Sequence, residues 1–256
     1  RSAAIYATLR EPYIASARPG MLELVKRVGY TRLGALWRTA PFSTLWSALD
    51  VYFSDPRLRQ LFGRYATYVG SSPLQAPATL MLIAHVEQDG VWLVEGGMRA
   101  VAAALRDVAE GLGVTFHFDC GVRSITAGGG RVQGVVTDGG DVLPADRIVY
   151  NGDISALGNG LLGEAVSDAV TAVGPRQRAL SAITFCVVAE CAGLPLHYHN
   201  VFFDVDYPQE FTSIFQRGEI CEHPTVYVCA QDRGVGAQPE GGERLLLLIN
   251  APADGD

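Results

Sequence analysis

At 256 residues and a net charge of −7, the chain is long enough for one large domain or two small ones. Hydrophobic residues make up 48% of it and its mean hydropathy is +0.17, yet no apolar run approaches the roughly 18 residues of a membrane-spanning helix. No secretory signal opens the sequence, and its five cysteines, an odd number without a Cys-x-x-Cys pair, argue against a disulfide framework.

Residues 1–89 are predicted to be mostly helical, with interruptions at proline and glycine. Charge is concentrated here, because residues 1–69 hold ten basic and four acidic residues, a net charge of +6, which leaves −13 for the rest. Apolar side chains lie between the basic ones: Met21, Leu22, Leu24, Val25, Val28, Leu33, Leu36, Trp37, Phe42 and Trp46. This mixture favours contact with a membrane surface over nucleic-acid binding. The alternative is a helical layer packed on the rest of the protein, and both can hold.

Residues 90–153 predict the order helix, strand, β-meander and buried strand. Residues 91–97 are typical of a short strand that enters a glycine turn. Apolar residues then recur at steps of three and four from Met98 to Leu112, which indicates a helix that Gly113 can end in the left-handed conformation. Residues 114–118, the segments VRSIT and VQGVVT, and residues 142–150 are predicted strands.

The last section begins with a loop or helix that contains GNGLLG, residues 158–163, a match to the G-x-G-x-x-G nucleotide loop. In a nucleotide-binding loop the strand leads directly into the glycines, and an acidic residue that contacts the ribose follows at a characteristic distance. Here seven residues separate the segment from the preceding predicted strand, and Glu190, the next acid at the end of a predicted strand, comes too late in the sequence. We therefore predict an ordinary turn. Four β-rich segments follow: SAITFCVVAE, NVFFDV, TVYVCAQ and ERLLLLIN. A helix followed by several strands predicts an α+β substrate domain.

A cluster of cysteine and histidine residues in this section invites comparison with zinc sites: Cys186, Cys191, His197, His199, Cys221 and His223. Their spacing matches no common zinc template, and alternate residues of a strand point to opposite faces. We therefore predict core and loop residues and no metal.

Several segments together resemble a known family. EGGMRAVAAALRDVAEGLGV, CGVRSI, GVVTDGG and PADRIVYNGD resemble the second FAD-domain segment of flavin amine oxidases and carotene desaturases. Upstream, DPRLRQLF resembles the DPxLRxxF segment of bacterial phytoene desaturases. Downstream, HNVFF, DYPQEF and PTVYVCAQDR resemble the hydroxycarotenoid 3,4-desaturases, or methoxyneurosporene desaturases, of purple photosynthetic bacteria.

The resemblance implies part of a two-domain FAD-dependent fold, amine-oxidase-like or glutathione-reductase-like, of α+β or α/β class. Residues 1–93 would form the helical, membrane-facing part of the substrate domain, residues 94–155 the second FAD segment and residues 156–256 the substrate-domain sheet. The family's first glycine-rich segment and last flavin segment are not found in the sequence, so we expect an internal fragment that is inactive alone.

The implied enzyme removes two hydrogens across a C–C bond of a hydroxylated or methoxylated carotenoid, and FAD accepts a hydride. It would lie on the cytoplasmic side of the photosynthetic membrane, where its substrate dissolves. A phytoene desaturase or another flavin amine-oxidase-type oxidoreductase is the first alternative. A non-catalytic carotenoid- or membrane-binding module is the second.

Two residues of the DPRLRQLF segment are the catalytic candidates that the resemblance implies. Asp55 and Arg59 match the acid and the second arginine of the family pattern, which are candidates for polarising or deprotonating the substrate beside the flavin. The structural alternatives are a helix cap by Asp55, followed by Pro56 in the first turn, or an i,i+4 ion pair between Asp55 and Arg59.

Three further residues are cofactor candidates. Val122, in CGVRSI, matches the position whose backbone pairs with the adenine edge of FAD in the family, and its alternative is an ordinary strand valine. Asn151 and Asp153, in YNGD, match a strand end near the cofactor. Their alternative is an Asx turn or a helix cap.

Overall fold

A computed structural model describes residues 1–17, 19–174, 177–234 and 239–253. The chain divides into two compact units. The first, here called the sheet unit, joins Arg1–Leu93 to Ala179–Asp256, and the second, the meander unit, is Val94–Arg178. Both contain helices and antiparallel sheets, which confirms the α+β class. The functional names given to the three predicted domains stay predictions.

The first part of the sheet unit is helical, as predicted. Its α-helices are α1 (Ser2–Leu9), α2 (Met21–Val28), α3 (Leu33–Trp37), α4 (Leu45–Asp50), α5 (Pro56–Gly63) and α6 (Ile83–Asp89). A π turn, Arg10–Ile14, follows α1, and 3-10 turns span Tyr30–Arg32, Arg64–Val69 and Ala78–Leu82. Pro12 lies within the π turn and does not interrupt the helical path, whereas Pro56 occupies the first turn of α5.

These helices bury a core of their own. It contains Ile5 and Leu9 from α1, Leu45 and Leu49 from α4, and Met81 from the last 3-10 turn. Leu45 is fully buried, and α4 begins at Thr44, whose hydroxyl accepts a hydrogen bond from the Ser47 N–H. Among the described residues, Leu36 is the one of the ten interspersed apolar residues that packs against this core, so a helical layer packed on the rest of the protein stays a prediction.

The second part of the sheet unit is a four-stranded antiparallel sheet. Its strands are β4 (Ser181–Ala189), β5 (His199–Phe202), β6 (Val226–Ala230) and β7 (Glu243–Ala251), arranged in the order β4-β7-β6-β5. The long pairing of β4 with β7 runs from Ser181 opposite Ala251 to Ala189 opposite Glu243. All four strand predictions are confirmed. The helix α10 (Tyr207–Thr212) and a π turn, Ser213–Arg217, connect β5 to β6 and carry the buried Tyr207 and Phe211.

The meander unit contains α7 (Met98–Gly111), a three-stranded antiparallel sheet and two short helices. The sheet has the order β1 (Val122–Gly128), β2 (Arg131–Thr137) and β3 (Val142–Pro144), and the helices are α8 (Ile154–Gly158) and α9 (Glu164–Ser167). The predicted helix, its termination near a left-handed Gly113, and the strands VRSIT and VQGVVT are confirmed. Ile125, Leu157 and Val166 form the buried core.

Three strand predictions in this part of the chain are wrong or too long. Residues 91–97 and 114–118 are irregular, and in the segment 142–150 only Val142–Pro144 pairs with β2. Pro144 has no N–H to extend the ladder, and Val149, expected in a buried strand, is 95% exposed. An apolar run becomes a strand only where a neighbouring strand offers backbone partners, and none of the described residues does so here.

Candidate functional site

Asp55 caps the helix α5. Its carboxylate accepts a hydrogen bond from the Arg57 N–H at 2.9 Å and pairs with the Arg57 guanidinium at 2.7 Å. The side-chain and backbone bonds from Arg57 lower the pKa of Asp55 to about 2. Asp55 is therefore ionised at neutral pH and already engaged by the helix terminus, which makes it a poor proton acceptor for catalysis.

Arg59 does not pair with Asp55, so of the two structural alternatives for this segment the structure has the helix cap and not the i,i+4 ion pair. Its guanidinium instead forms an ion pair with Asp50 of α4 at 2.8 Å and lies over the ring of Trp46, 4.6 Å from the ring centre. The reason is that Asp55 turns back to the first N–H groups of α5, while Arg59 points from the second turn towards α4. Arg59 thus contributes a positive charge held against an aromatic face.

A network of aromatic and cationic side chains continues from Arg59 within the sheet unit. Trp46 packs beside Tyr207 of α10, with ring centres 6.1 Å apart. Arg64, at the start of the 3-10 turn after α5, lies over Tyr227 of β6 at 5.7 Å. Tyr227 in turn shares a 2.7 Å hydrogen bond with His199 of β5. We call this set, Trp46, Arg59, Arg64, Tyr207, Tyr227 and His199, the cation–aromatic cluster.

The cluster contains polar atoms that are buried without a partner. Among the described residues these are Nε of Arg59, Nη1 of Arg64, the Tyr207 hydroxyl and the nearby Thr225 hydroxyl. Burial raises the pKa of Tyr207, so its hydroxyl stays protonated. Buried donors of this kind normally bond to water or to a bound group, since leaving them unpaired costs about 1–3 kcal/mol each.

Glu210 lies next to the cluster and is also buried. Its carboxylate accepts hydrogen bonds from Asn250 Nδ2 at 2.7 Å and from the Thr225 N–H at 3.2 Å, so it joins α10 to β7 and to the residue before β6. The sequence analysis missed the cluster and Glu210. No local pattern marks them, because their members lie far apart in the sequence and meet only in the folded sheet unit.

Val122 begins β1, an edge strand of the three-stranded sheet. Its pairing with Thr137 is followed by an irregularity before Ser124, and Ile125 of the same strand donates its N–H to the Leu162 carbonyl outside the sheet. An edge strand has backbone groups that no neighbouring strand occupies, which is what edge-on pairing with a planar base requires. The geometry of Val122 is therefore compatible with the adenine role.

Asn151 and Asp153 lie before the short helix α8. Asp153 is its cap, with a carboxylate that accepts the Ser155 N–H at 2.8 Å and pairs with Arg178. Both bonds lower the pKa of the Asp153 carboxyl, and the bond from the Ser155 N–H has the larger effect. Asn151 is exposed. Among the described residues, no hydrogen bond or ion pair joins Val122 to Asn151 or Asp153, so the three share a unit without forming one contact cluster.

GNGLLG connects α8 to α9 by a turn. Gly160 and Gly163 have positive φ angles of 76° and 104°, and the Leu162 carbonyl accepts the bond from Ile125 already described. No strand leads into this segment, so it does not have the strand–loop–helix geometry of a phosphate loop. None of the strands in the described part of the chain leads directly through a glycine turn into a helix, which is the geometry that a phosphate loop requires.

The thiols and imidazoles that suggested a zinc comparison lie in separate environments. The Cys221 thiol donates to the His223 carbonyl, His199 bonds to Tyr227, and Cys229 is buried. All five cysteines are free thiols. Within the described ranges, no three His, Cys, Asp or Glu side chains are placed to hold a metal ion.

Much of the apolar surface between residues 13 and 42 is exposed. Leu22 is 88% exposed, Phe42 78%, and Trp37, which packs beside Phe42, 72%. Lys26, Arg32 and Arg38 are exposed among them. None of the described helices is both long enough and apolar enough to cross a bilayer. The side chains in this region that do not enter the helical core therefore present a mixed basic and apolar surface.

Comparison with known proteins agrees with the resemblance seen in the sequence. The family model for flavin containing amine oxidoreductases matches residues 43–191. The hydroxyneurosporene desaturase of Rubrivivax gelatinosus is 51% identical over 255 residues, which cover 98% of this chain and 48% of that protein. The 1-hydroxycarotenoid 3,4-desaturase of a Flavobacterium species is 33% identical over 84% of this chain and 44% of the relative.

A phytoene desaturase of Fusarium fujikuroi is also similar, at 32% identity over 84% of this chain and 38% of the relative. The chain thus spans less than half the length of each of these three curated relatives. Because the family model covers more than half of its residues, the chain belongs to the flavin-containing amine oxidoreductase family.

Proposed function

We propose that the intact protein is an FAD-dependent carotenoid desaturase that dehydrogenates a C–C bond of a 1-hydroxy- or methoxycarotenoid. The observation that carries this proposal is the 51% identity, over nearly the whole chain, to a hydroxyneurosporene desaturase. Bound FAD would supply the hydride acceptor. The residues of this chain would hold the adenine end of FAD and part of the substrate.

The proposed cofactor contacts lie in the meander unit. The unpaired edge of β1 at Val122 would receive the adenine, and the exposed Asn151 and the half-exposed carboxylate of Asp153 would offer polar atoms to the rest of the nucleotide. Asp153 can accept a further hydrogen bond because its two oxygens have more acceptor positions than the Ser155 and Arg178 bonds use.

The proposed catalytic contribution of Asp55 and Arg59 is electrostatic. The capping bonds fix α5, and Asp50 and Trp46 hold the Arg59 guanidinium in one place. A fixed positive charge polarises a substrate without transferring a proton, whereas an Asp55 with a pKa of about 2 is too weak a base for proton abstraction. We therefore assign the polarising charge to Arg59, which Asp50 and Trp46 position, and the capping of its helix to Asp55.

The proposed partners are the carotenoid and a membrane surface. A long polyene needs an extended apolar wall, and one face of β4 presents exposed Phe185 and Val187. The exposed apolar and basic residues of α2 and α3 are suited to interfacial contact, so we place the protein on the cytoplasmic face of the photosynthetic membrane.

Expression of the complete gene and assay with a 1-hydroxycarotenoid test this function. We expect a flavin absorption spectrum and a product with one additional double bond. A parallel assay with phytoene distinguishes this proposal from the alternative of a phytoene desaturase, which the 32% identical relative suggests. Conversion of phytoene instead of the 1-hydroxycarotenoid would favour that alternative. If the purified protein contains no flavin and converts neither substrate, the proposal of an enzyme is wrong. The remaining hypothesis is then a non-catalytic carotenoid- or membrane-binding module.

A further inference from the structure

A groove of about 540 Å³ opens on the surface of the sheet unit. Thr8 and Glu11, from α1 and the π turn, line one side, and Arg27, Val28 and Arg32, from α2 and the 3-10 turn after it, line the other. Its volume lies within the range of small-molecule sites, roughly 300–1,000 Å³. The groove is thus large enough for the polar head of a lipid.

Arg27 is part of the wall of this groove and is not available to a ligand. Its guanidinium bonds to the Pro12 and Ala17 carbonyls at 3.3 and 3.2 Å, to the Ser16 hydroxyl at 2.8 Å, and to Glu23 at 3.0 Å. These bonds tie α2 to the segment that follows the π turn. They hold the two sides of the groove at a fixed separation.

Arg32 is the available positive charge. It is exposed, and its side chain has no hydrogen bond or ion pair with any of the described residues. The acid in the groove, Glu11, is highly exposed and lies 3.7 Å from Arg10, which offsets its charge. An unpaired guanidinium in such a groove favours an anionic group, and its fork of donors matches phosphate oxygens.

The surroundings of the groove identify the source of that anion. Large exposed apolar side chains adjoin the lining residues along the chain: Tyr13, Ile14, Met21, Leu22, Tyr30 and Leu33. Apolar residues at a membrane interface enter the boundary between head groups and acyl chains, and tyrosine lies at head-group level. Since these residues flank the lining residues in the sequence, their insertion would bring the groove close to the level of the lipid phosphates.

We propose that this groove binds the phosphate of an anionic phospholipid, with Arg32 as the donor. The inference rests on the membrane contact proposed above and adds a specific lipid site to it. The lipid would be held by one paired charge in addition to the insertion of apolar side chains. Arg32 and the apolar rim therefore make separable contributions.

Co-sedimentation of the intact protein with vesicles tests the site, using phosphatidylcholine alone or with added phosphatidylglycerol at constant ionic strength. Arg32→Gln is expected to weaken binding to the anionic vesicles more than about tenfold, because it loses a charge-assisted bond to the phosphate in addition to the diffuse attraction of one basic residue. Arg38→Gln is the matched control, since Arg38 is also exposed and its side chain is also unpaired among the described residues, but it does not line the groove. Because Arg38 belongs to the same basic and apolar surface, its loss should remove only the diffuse attraction of one charge, about fivefold at most.

Equal losses from Arg32→Gln and Arg38→Gln would overturn the site in favour of diffuse electrostatic attraction. Phosphate binding without vesicles that depends on Arg32, together with unchanged vesicle binding by Arg32→Gln, would assign the groove to a free anion instead. Leu22→Glu reports separately on membrane contact, because it should weaken binding to both kinds of vesicle. A wild-type protein that binds neither kind would refute the membrane contact itself, whatever the outcome for catalysis.

Discussion

The two units of the chain contain similar apolar sequences but bury them differently. In the sheet unit, Leu45, Tyr207 and Phe211 are almost completely buried. In the meander unit, Met98, Leu105 and Leu112, which define the apolar repeat of α7, are largely exposed. The comparison shows that a periodic pattern predicts a helix but not the surface that covers it. The same comparison predicts which substitutions will lower the free energy of unfolding most. All of the following experiments use the intact protein.

The largest effect is expected in the core of the sheet unit. Phe211→Ala should lower the free energy of unfolding by about 4 kcal/mol, because it removes an almost completely buried ring that packs beside Tyr207. Phe42→Ala, at an exposed position, should change it by less than about 0.5 kcal/mol. Denaturant titration measures both. Similar losses from the two variants would show that the sheet unit does not depend on this core.

Ile125→Ala should have the next largest effect, about 3 kcal/mol, since it opens a cavity in the small core of the meander unit. If the two units have independent cores, hydrogen exchange should increase in β1 and β2 and remain unchanged in β6 and β7. An equal increase in all four strands would instead indicate one cooperative core.

Tyr207→Phe separates the burial of a ring from the burial of its hydroxyl. The Tyr207 hydroxyl has no partner among the described residues, so its removal should leave stability unchanged or raise it by about 1 kcal/mol. Tyr65→Phe is the contrasting variant, because Tyr65 donates a 2.5 Å hydrogen bond to Glu87 and its loss should cost about 1 kcal/mol. A clear loss of stability in Tyr207→Phe would show that an ordered water or ligand satisfies this hydroxyl.

The smallest effects concern the two helix caps, one in each unit. Asp55 and Asp153 each accept the N–H of the residue two positions later, and both have a lowered pKa in the folded state. Their charge therefore stabilises the fold above the unfolded pKa and ceases to do so as the pH falls through the folded one. For Asp55 this window runs from about pH 4 to about pH 2.

Asp55→Asn and Asp153→Asn keep a capping side chain but remove this titration. The acid-dependent loss of stability should become shallower in each variant, as measured by thermal unfolding between pH 2 and pH 5. An unchanged slope for Asp55→Asn would mean that its pairing with Arg57 does not persist in solution.

Local chemistry accounts for what was predictable. The helix α7 follows from apolar spacing and ends near Gly113, the hairpin of β1 and β2 follows from β-branched runs around glycines, and α5 starts where Asp55 precedes Pro56. Each depends on residues close together in the sequence. The same holds for the family resemblance, whose motifs are short and contiguous.

Contacts between distant residues were decided by tertiary structure. The sequence by itself determined the α+β class, the helical first section, the four strands of the larger sheet and the likeness to carotenoid desaturases. Only the folded structure determined that Arg59 pairs with Asp50, that Tyr207 lies beside Trp46, and that residues 114–118 form no strand. The physical reason is that propensity and capping are local free energies, whereas an ion pair, a ring contact or a strand needs a partner that only chain packing supplies.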